Sequence, residues 1–459
     1  MGKRLMSLIH CINPATEEEM FNYKVASKDD VRGAIARARK AFKRWKGNSP
    51  WERSDFLFEA ASIIRNRKEE FAMIITEEMG KPIKESIAEV EKCARGLDYY
   101  AENGPRFLED ELVLTEAVES YIAFEPLGIV ASIMPWNFPM WQPLRFAAPS
   151  LMAGNSVILK PSRFVPRSGM ALQEVFEEAN LPDDCFQSVA GDSSTGEALL
   201  DADVDGYSFT GSVDVGIEIG RRAGSRLKKC VLELGGSDPF IVFADADLRE
   251  AAKHAVIGKF VNGGQSCIAS KRFIVVEDVF DEFVEKFLSN TKRLKVGDPL
   301  NKNTDIGPLV SKEALQKIEA QVEKARKDGA RILCGGRRYG SKGYFYEPTV
   351  IVDVKERMQI VNEEVFGPVA PIISAKDEDD AIRIANSTKF GLGASIWTDA
   401  EKAKKIVSQI EAGLVTVNNV VVSDPRMPFG GVKNSGIGRE LSRYGMLEFV
   451  NVKSVRIHE

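Results

Sequence analysis

Histidine is nearly absent from the 459-residue chain: His10, His254 and His458 are the only three, and two lie near the termini. A metal centre built on imidazole is therefore not expected. Neither is a cysteine hydrolase, whose thiol needs an imidazole base within reach. The one interior histidine, His254, falls in the helical run LREAAKHAVIGKF, where simple packing accounts for it. The six cysteines (Cys11, Cys93, Cys185, Cys230, Cys267, Cys334) stand singly, with no C-x-x-C pair. That spacing argues against a disulfide framework and against structural zinc. No uninterrupted apolar run reaches membrane-spanning length, and the start of the chain is too short and broken in its apolar stretch for a secretory signal. Nor is there a basic excess: Lys plus Arg total 62 against 67 Asp plus Glu, a net charge of -5. Nucleic acid and membrane are thus not expected as partners, and the cytoplasm is the expected compartment. The glycine fingerprint G-x-G-x-x-G is missing as well.

What is present is the material of two or three domains, since 459 residues exceed one hydrophobic core. The first segment reads as helices. SKDDVRGAIARARKAFKRW opens with Ser27 and Asp30 in capping-box spacing, and Val31, Ile35, Ala38, Phe42 and Trp45 follow at helical intervals. WERSDFLFEAASIIRNRKEEFAMIITEEMG continues in the same manner and stops at Gly80, a C-terminal cap. From about Tyr121 the texture changes to short apolar, β-branched runs alternating with helices of ten or so residues. This is the pattern of βαβ crossovers and a covered parallel sheet. It runs through YIAFEP, LGIVASIMPW, SVILKPS, CFQSVAG and GYSFTGS. After Glu233 it resumes with PFIVF, RFIVV, ARILCGG, TVIVDV, VAPIISA and GLVTVNN, a second α/β unit. The tail FVNVKSVRIHE alternates like a strand and has to pair with something, another subunit included.

Parallel sheets bind ligands outside the carboxyl ends of their strands. Three strand-to-helix junctions of the first unit carry suitable residues: Lys160 to Arg163, Gly191 to Gly196, and Phe209 to Ser212. Small residues there let backbone N–H groups and a helix N-terminus approach a pyrophosphate; the same composition also makes ordinary βα turns. VLELGGSDP sets Glu233 at the end of an apolar strand, where poor solvation raises a carboxyl pKa as a general base requires. A surface carboxylate at a strand end is the plainer alternative. FVNGGQSCIASKRF sets Cys267 behind two glycines, either as a nucleophile with backbone close to its sulfur or as an inert buried thiol. PWNFPMW holds Asn137 near two prolines that stiffen its backbone; its amide can donate to a developing oxyanion or simply shape a turn. With so little histidine, a nucleophilic Cys267 would take a carboxylate as its base.

Taken together, ELGG with Glu233, FVNGGQSC with Cys267, MPWNFP with Asn137, EEVFGP with Glu364 and Phe366, and PFGGVKNSGIGRE resemble the aldehyde dehydrogenase superfamily. The resemblance runs from INPATEE to FVNVKSV. Within it the chain looks most similar to the short succinate-semialdehyde dehydrogenases, on FEPLGIVASIMPWNFPMWQPLRFAAPSLMAGN, LELGGSDPFIV, QSCIASKRFIVVE and SDPRMPFGG. The resemblance implies a Rossmann-like cofactor domain (1–115 and 127–232), an α/β catalytic domain (233–430) and a small β oligomerisation element (116–126 and 431–459), assembled as a homodimer or homotetramer. It implies that Cys267 attacks an aldehyde, that Asn137 and the Cys267 backbone hold the oxyanion, and that Glu233 activates water against the thioester.

For the cofactor the resemblance implies Pro135, Trp136, Lys160, Ser162, Gly191, Phe209, Thr210, Gly211, Ser212, Leu234, Glu364 and Phe366. Arg163 stands where the common NAD-preferring pattern has glutamate. An arginine there can pair with a 2′-phosphate, so NADP is expected to serve at least as well as NAD. Succinate semialdehyde needs a cation for its distal carboxylate, and Arg145 and Arg426 are the candidates. Three other readings stay open: a different small aldehyde such as glyceraldehyde, lactaldehyde or another semialdehyde; a coenzyme-A-acylating relative, against which Glu233 argues; and a non-catalytic relative, against which the joint presence of Glu233, Asn137 and Cys267 argues.

Overall fold

The alternating runs resolve into two parallel-stranded layers in the computed structural model, which describes residues 8–459. An antiparallel ribbon of β1 (Leu8–Ile12) and β2 (Glu19–Lys24) precedes four helices. α1 (Lys28–Trp45) begins with the expected capping box, Ser27 and Asp30 each accepting from the other's backbone N–H. Its buried stripe is Val31, Ala34, Ala38, Ala41 and Trp45; Ile35 and Phe42, expected inside, are only half-buried. The next run is two helices rather than one, α2 (Pro50–Asn66) and α3 (Lys68–Met79), broken at Arg67. Gly80 ends α3 at φ 78°, the left-handed cap that favours glycine. α4 (Ile83–Phe107) then packs along α2 and α3.

After β3 (Glu111–Leu112) and β4 (Glu119–Pro126) comes the first parallel unit: β5 (Ile129–Ile133), α5 (Trp141–Met152), β6 (Ser156–Lys160), α6 (Pro166–Glu178), β7 (Phe186–Ser188), α7 (Ser193–Asp201), β8 (Gly206–Thr210), α8 (Val213–Ser225) and β9 (Lys229–Glu233). The strand order β9-β8-β5-β6-β7 reverses beside β5. The chain winds from β5 to one side and returns to the other through β8, which opens a crevice beyond the carboxyl ends of those two strands.

The second unit holds β10 (Asp238–Val242), α9 (Leu248–Phe260), β11 (Ser270–Val276), α10 (Phe280–Thr291), α11 (Lys312–Lys327), β12 (Arg331–Cys334), β13 (Thr349–Val352), β14 (Val369–Ala375), β15 (Gly393–Trp397) and β16 (Leu414–Val417). Its order is β12-β13-β14-β11-β10-β15-β16, parallel except for the edge strand β12. β10, β11 and β15 are buried along their whole length, which explains their unbroken apolar sequence. β15, GASIW, is a strand the sequence reading did not single out.

Two short strands depart from the expected domain limits. β17 (Gly436–Ile437), grouped by sequence with the bridging element, pairs antiparallel with β9 and closes the first sheet. β3, grouped with the cofactor domain, pairs with β4. β4 also pairs with β18 (Val450–Ile457), Tyr121 opposite Val455, so the alternating tail finds its partner in its own chain as a three-stranded antiparallel sheet.

One buried ion pair fixes the loop between β5 and α5. Lys81 and Glu89 pair with side-chain exposures of 1% and 2%. The second Glu89 oxygen accepts from the backbone N–H groups of Met140 (3.1 Å) and Trp141 (3.0 Å), at the start of α5. Lys81 Nζ also sits 3.9 Å from the centroid of the Phe138 ring. Replacing Glu89 by alanine strands a buried ammonium and uncaps α5. Glu89→Ala is expected to lower unfolding stability by about 3–5 kcal/mol, read as the shift of a urea unfolding curve; a shift under about 1 kcal/mol contradicts this role.

Candidate active site

The residues singled out at the ends of the strands converge on one cavity of about 320 Å³. Pro135, Trp136 and Asn137 enter it from the turn after β5, and Thr210, Gly211 and Ser212 from the turn after β8. Glu233 and Leu234 enter from the end of β9, and Cys267, Glu364 and Phe366 from the second unit. The Phe366 and Trp136 rings meet edge to face at 5.6 Å. Lys160, Ser162, Arg163, Gly191 and Phe209 do not line the cavity itself. They sit at or beyond the carboxyl ends of β6, β7 and β8, with Lys160 and Phe209 both level with Ile133 in the sheet. Together these positions continue the crevice sideways along the strand ends.

The loop that carries Cys267 is held by hydrogen bonds between the two units. Asn262 takes left-handed backbone angles (φ 52°, ψ 34°). Its side-chain amide donates to the carbonyls of Asn137 (2.8 Å) and Gln265 (3.1 Å). Asn137 Nδ2 in turn donates to the Gln265 carbonyl at 3.0 Å. An amide nitrogen carries two protons, so one on Asn137 remains free. Gly264 follows at φ 75°, and a Cβ there would lie 2.2 Å from the Gly367 carbonyl oxygen, so this glycine is dictated by backbone contact. The Cys267 backbone N–H donates to no protein acceptor among the described residues. A free amide proton and a free backbone N–H beside a sulfur are the parts of an oxyanion site.

Charge is arranged around the half-buried Cys267. Burial pushes the Cys267 thiol up to about 11, against the pull of Arg145 and Lys271. Lys271 Nζ is fully buried, donates to the carbonyls of Ser266 (2.9 Å) and Cys267 (2.5 Å), and lies 3.3 Å from Glu364. Glu364 Oε1 accepts from the Gly236 N–H at 3.1 Å. The Glu233 carboxyl is 2% exposed, with no hydrogen-bond partner on either oxygen. Burial first, and then the nearby Glu440 charge, hold its pKa well above the usual carboxylate range, while Arg145 and Arg439 oppose the rise. This is the poorly solvated carboxyl expected at a strand end, and in its ionised form it is a strong base.

A nucleotide cofactor fits the first cavity and its sideways extension. Thr210 Oγ1 is buried without a partner, and Ser212 begins α8 without capping it by its side chain. Burial lowers the Lys160 ammonium to about 8, and no carboxylate pairs with it among the described residues. Unpaired donors around a helix N-terminus suit a pyrophosphate and ribose. Arg163 is exposed, stacked 4.9 Å from the Phe164 ring, and likewise without a carboxylate partner among the described residues.

A second cavity of about 180 Å³ meets the first at Cys267 and Gln142. Arg145 opens onto it, 2% exposed in its side chain, paired with Glu440 and stacked 4.3 Å from the Phe429 ring. Arg426 is not brought to either cavity. Its side chain is 77% exposed and chelates Asp424 two residues away, at 2.9 and 2.6 Å, so a local ion pair has claimed the charge that the sequence reading offered to substrate. Sequence reasoning missed Gln142, Lys271 and the α11 face with Ala314, Lys317 and Ile318. Lys271 stood in the quoted stretch as half of a basic pair; the others gave no local signal.

Known proteins are similar to the chain over nearly its whole length. The model of the aldehyde dehydrogenase family matches residues 3–455. Succinate-semialdehyde dehydrogenase [NADP(+)] of Mycobacterium avium (strain 104) is 46% identical over 455 residues, covering 98% of this chain and 96% of the relative. Succinate-semialdehyde dehydrogenase [NADP(+)] 1 of Mycobacterium tuberculosis (strain ATCC 25618 / H37Rv) is 45% identical over 454 residues, covering 98% and 99%. Among solved structures, an NAD-dependent aldehyde dehydrogenase from Sinorhizobium meliloti superposes with a TM-score of 0.96 at 39% identity, covering 98% of this chain and 91% of that one. The succinic semialdehyde dehydrogenase of Streptococcus pyogenes in complex with NADP+ gives 0.95 at 34% identity, covering 98% and 100%. By sequence along nearly its whole length and by fold, the chain belongs to the aldehyde dehydrogenase family.

Proposed function

We propose that this enzyme oxidises succinate semialdehyde to succinate, with NADP as the preferred acceptor, through a thioester on Cys267. The observation that carries the reading is the place of Cys267, at the junction of two cavities. One holds Glu233 and the turns suited to a nucleotide; the other holds Arg145. The relatives named for succinate semialdehyde and NADP support the choice of substrate and cofactor.

In this reading the Cys267 sulfur adds to the aldehyde carbon, and Glu233, in its ionised form, accepts the thiol proton. The oxyanion accepts hydrogen bonds from the free N–H of the Asn137 amide and from the Cys267 backbone N–H. Losing one such donor typically costs on the order of 10²–10³ in rate. Lys160, Thr210, Ser212 and the crevice around them would hold the nucleotide, which when bound supplies the hydride acceptor that turns the adduct into a thioester. Glu233, having released its proton to solvent, then takes one from water. The hydroxide adds to the thioester carbon, the sulfur leaves as thiolate and takes the proton of the new carboxyl group, and the carboxylate product departs from the restored thiol. Glu364, set by Lys271 and the Gly236 N–H, and Phe366, set against Trp136, would contact the nicotinamide ribose of a bound cofactor.

The same reading gives an assembly. Leu112, Leu114, Val118, Val452 and Ile457, on or beside the three-stranded sheet, are exposed, and a homodimer or homotetramer would bury them. All six cysteines are unpaired, as suits a reducing cytoplasm.

Steady-state reduction of NADP and NAD with succinate semialdehyde, glyceraldehyde and n-butanal tests the proposal. Succinate semialdehyde with NADP is expected to give a kcat/KM at least about tenfold above n-butanal, the worth of one charged contact. Equal values for the charged and neutral aldehydes contradict it. In the same assay Arg163→Glu is expected to lower kcat/KM for NADP about tenfold or more and to spare NAD; an unchanged cofactor ratio removes Arg163 from phosphate recognition.

A further inference from the structure

The cavity onto which Arg145 opens contains a second cation. Lys92, in the middle of α4, lines it together with Arg145 and Ser423. Its Nζ donates to Ser423 Oγ at 2.5 Å and lies 4.6 Å from the centroid of the Trp141 ring. Among the described residues it forms no ion pair. Trp141 Nε1 donates to the same Ser423 oxygen at 3.1 Å. A hydroxyl has two lone pairs and one proton; with both lone pairs taken, the Ser423 O–H can only donate. Lys92 keeps two further N–H groups, and Arg145 Nη2 is buried with no hydrogen-bond partner. The cavity wall therefore gathers spare donors on Lys92 and Arg145, beside one unpaired acceptor, Gln142 Oε1.

The charges differ in the same direction. Arg145 is matched by Glu440, which is itself buried, so that pair presents little net charge. Lys92 has no such partner, and burial followed by the Arg145 charge draws its ammonium down to about 8. Around it the lining is apolar, with Ile257, Val261, Val420 and Phe429, which strengthens any ion contact made there.

We propose that Lys92, with the Ser423 hydroxyl, receives the distal carboxylate of the substrate and makes this cavity select an anionic aldehyde. The inference rests on the succinate semialdehyde reading and deepens it: Lys92 supplies the unmatched positive charge, and Arg145 a directional N–H beside it.

Lys92→Met keeps the length and apolar stem of the side chain and removes its charge. With saturating cofactor, its kcat/KM for succinate semialdehyde is expected to fall about tenfold or more, mostly through KM, while n-butanal stays within about twofold. Lys92→Arg, which restores a cation, is expected to recover most of the preference. The Ki of succinate as product inhibitor should rise in Lys92→Met and return towards wild type in Lys92→Arg. A wild-type preference for the charged aldehyde that survives Lys92→Met overturns the inference alone. Losses of equal size on both aldehydes, or no recovery in Lys92→Arg, overturn it too. A wild type without any preference for the charged aldehyde overturns the underlying reading, and the inference with it.

Discussion

The site depends on a hydrogen-bonded joint, the Asn262 amide spanning the carbonyls of Asn137 and Gln265. Asn137 belongs to the turn after β5 and Gln265 to the loop before β11, so one side chain locks the two α/β units at the sulfur. The joint holds because its surroundings are over-determined. Asn262 is kept in a left-handed conformation, Gly264 touches the backbone of Gly367, and Gln265 Oε1 accepts from the Val310 N–H at 3.0 Å. On the other side Glu89 and Lys81 brace the Asn137 turn from within the helical layer. A local strain of about 1–3 kcal/mol at a left-handed non-glycine residue is tolerable only where so many contacts agree.

Around this joint the protein separates two electrostatic tasks. On the β9 side, burial and Glu440 make ionised Glu233 unfavourable, and therefore strongly basic when it forms. On the α4 side, Lys92 is left without a counter-ion while Arg145 is matched by Glu440. Glu440 thus links both cavities: it raises Glu233 and neutralises Arg145, leaving the lysine to face an incoming carboxylate. Cys267 lies between them, half-buried, its thiol pushed up by burial while the Arg145 and Lys271 charges pull it back toward the thiolate.

How much of this was legible in the sequence follows the range of the interactions. Most strands of both sheets were visible because parallel, doubly covered strands must be apolar throughout; β15 was not, since Gly393, Ala394 and Ser395 make up most of its five residues. Glu233 and Cys267 stood out because a carboxyl at the end of such a strand and a thiol behind two glycines are locally unusual. The pairing of β17 with β9 was not legible, since two residues carry no periodicity. Arg426 looked available because its motif is polar and exposed, yet Asp424, two residues earlier, lies close enough to take it. Lys92 was illegible for the opposite reason. In a helix rich in charged residues nothing marks the one lysine that turns toward Ser423, which is remote in sequence. The β4–β18 pairing was foreseen only as a need for a partner, and the chain meets that need itself.

The central claim is that Cys267 carries the acyl group through the reaction. Acid quench of the enzyme during turnover with NADP and saturating succinate semialdehyde, followed by peptide mass spectrometry, tests it directly. The account predicts a succinyl group on the peptide containing Cys267, absent without NADP and absent in Cys267→Ala, which should not turn over. Turnover in Cys267→Ala, or an acyl group found on another cysteine and never on Cys267, would contradict it.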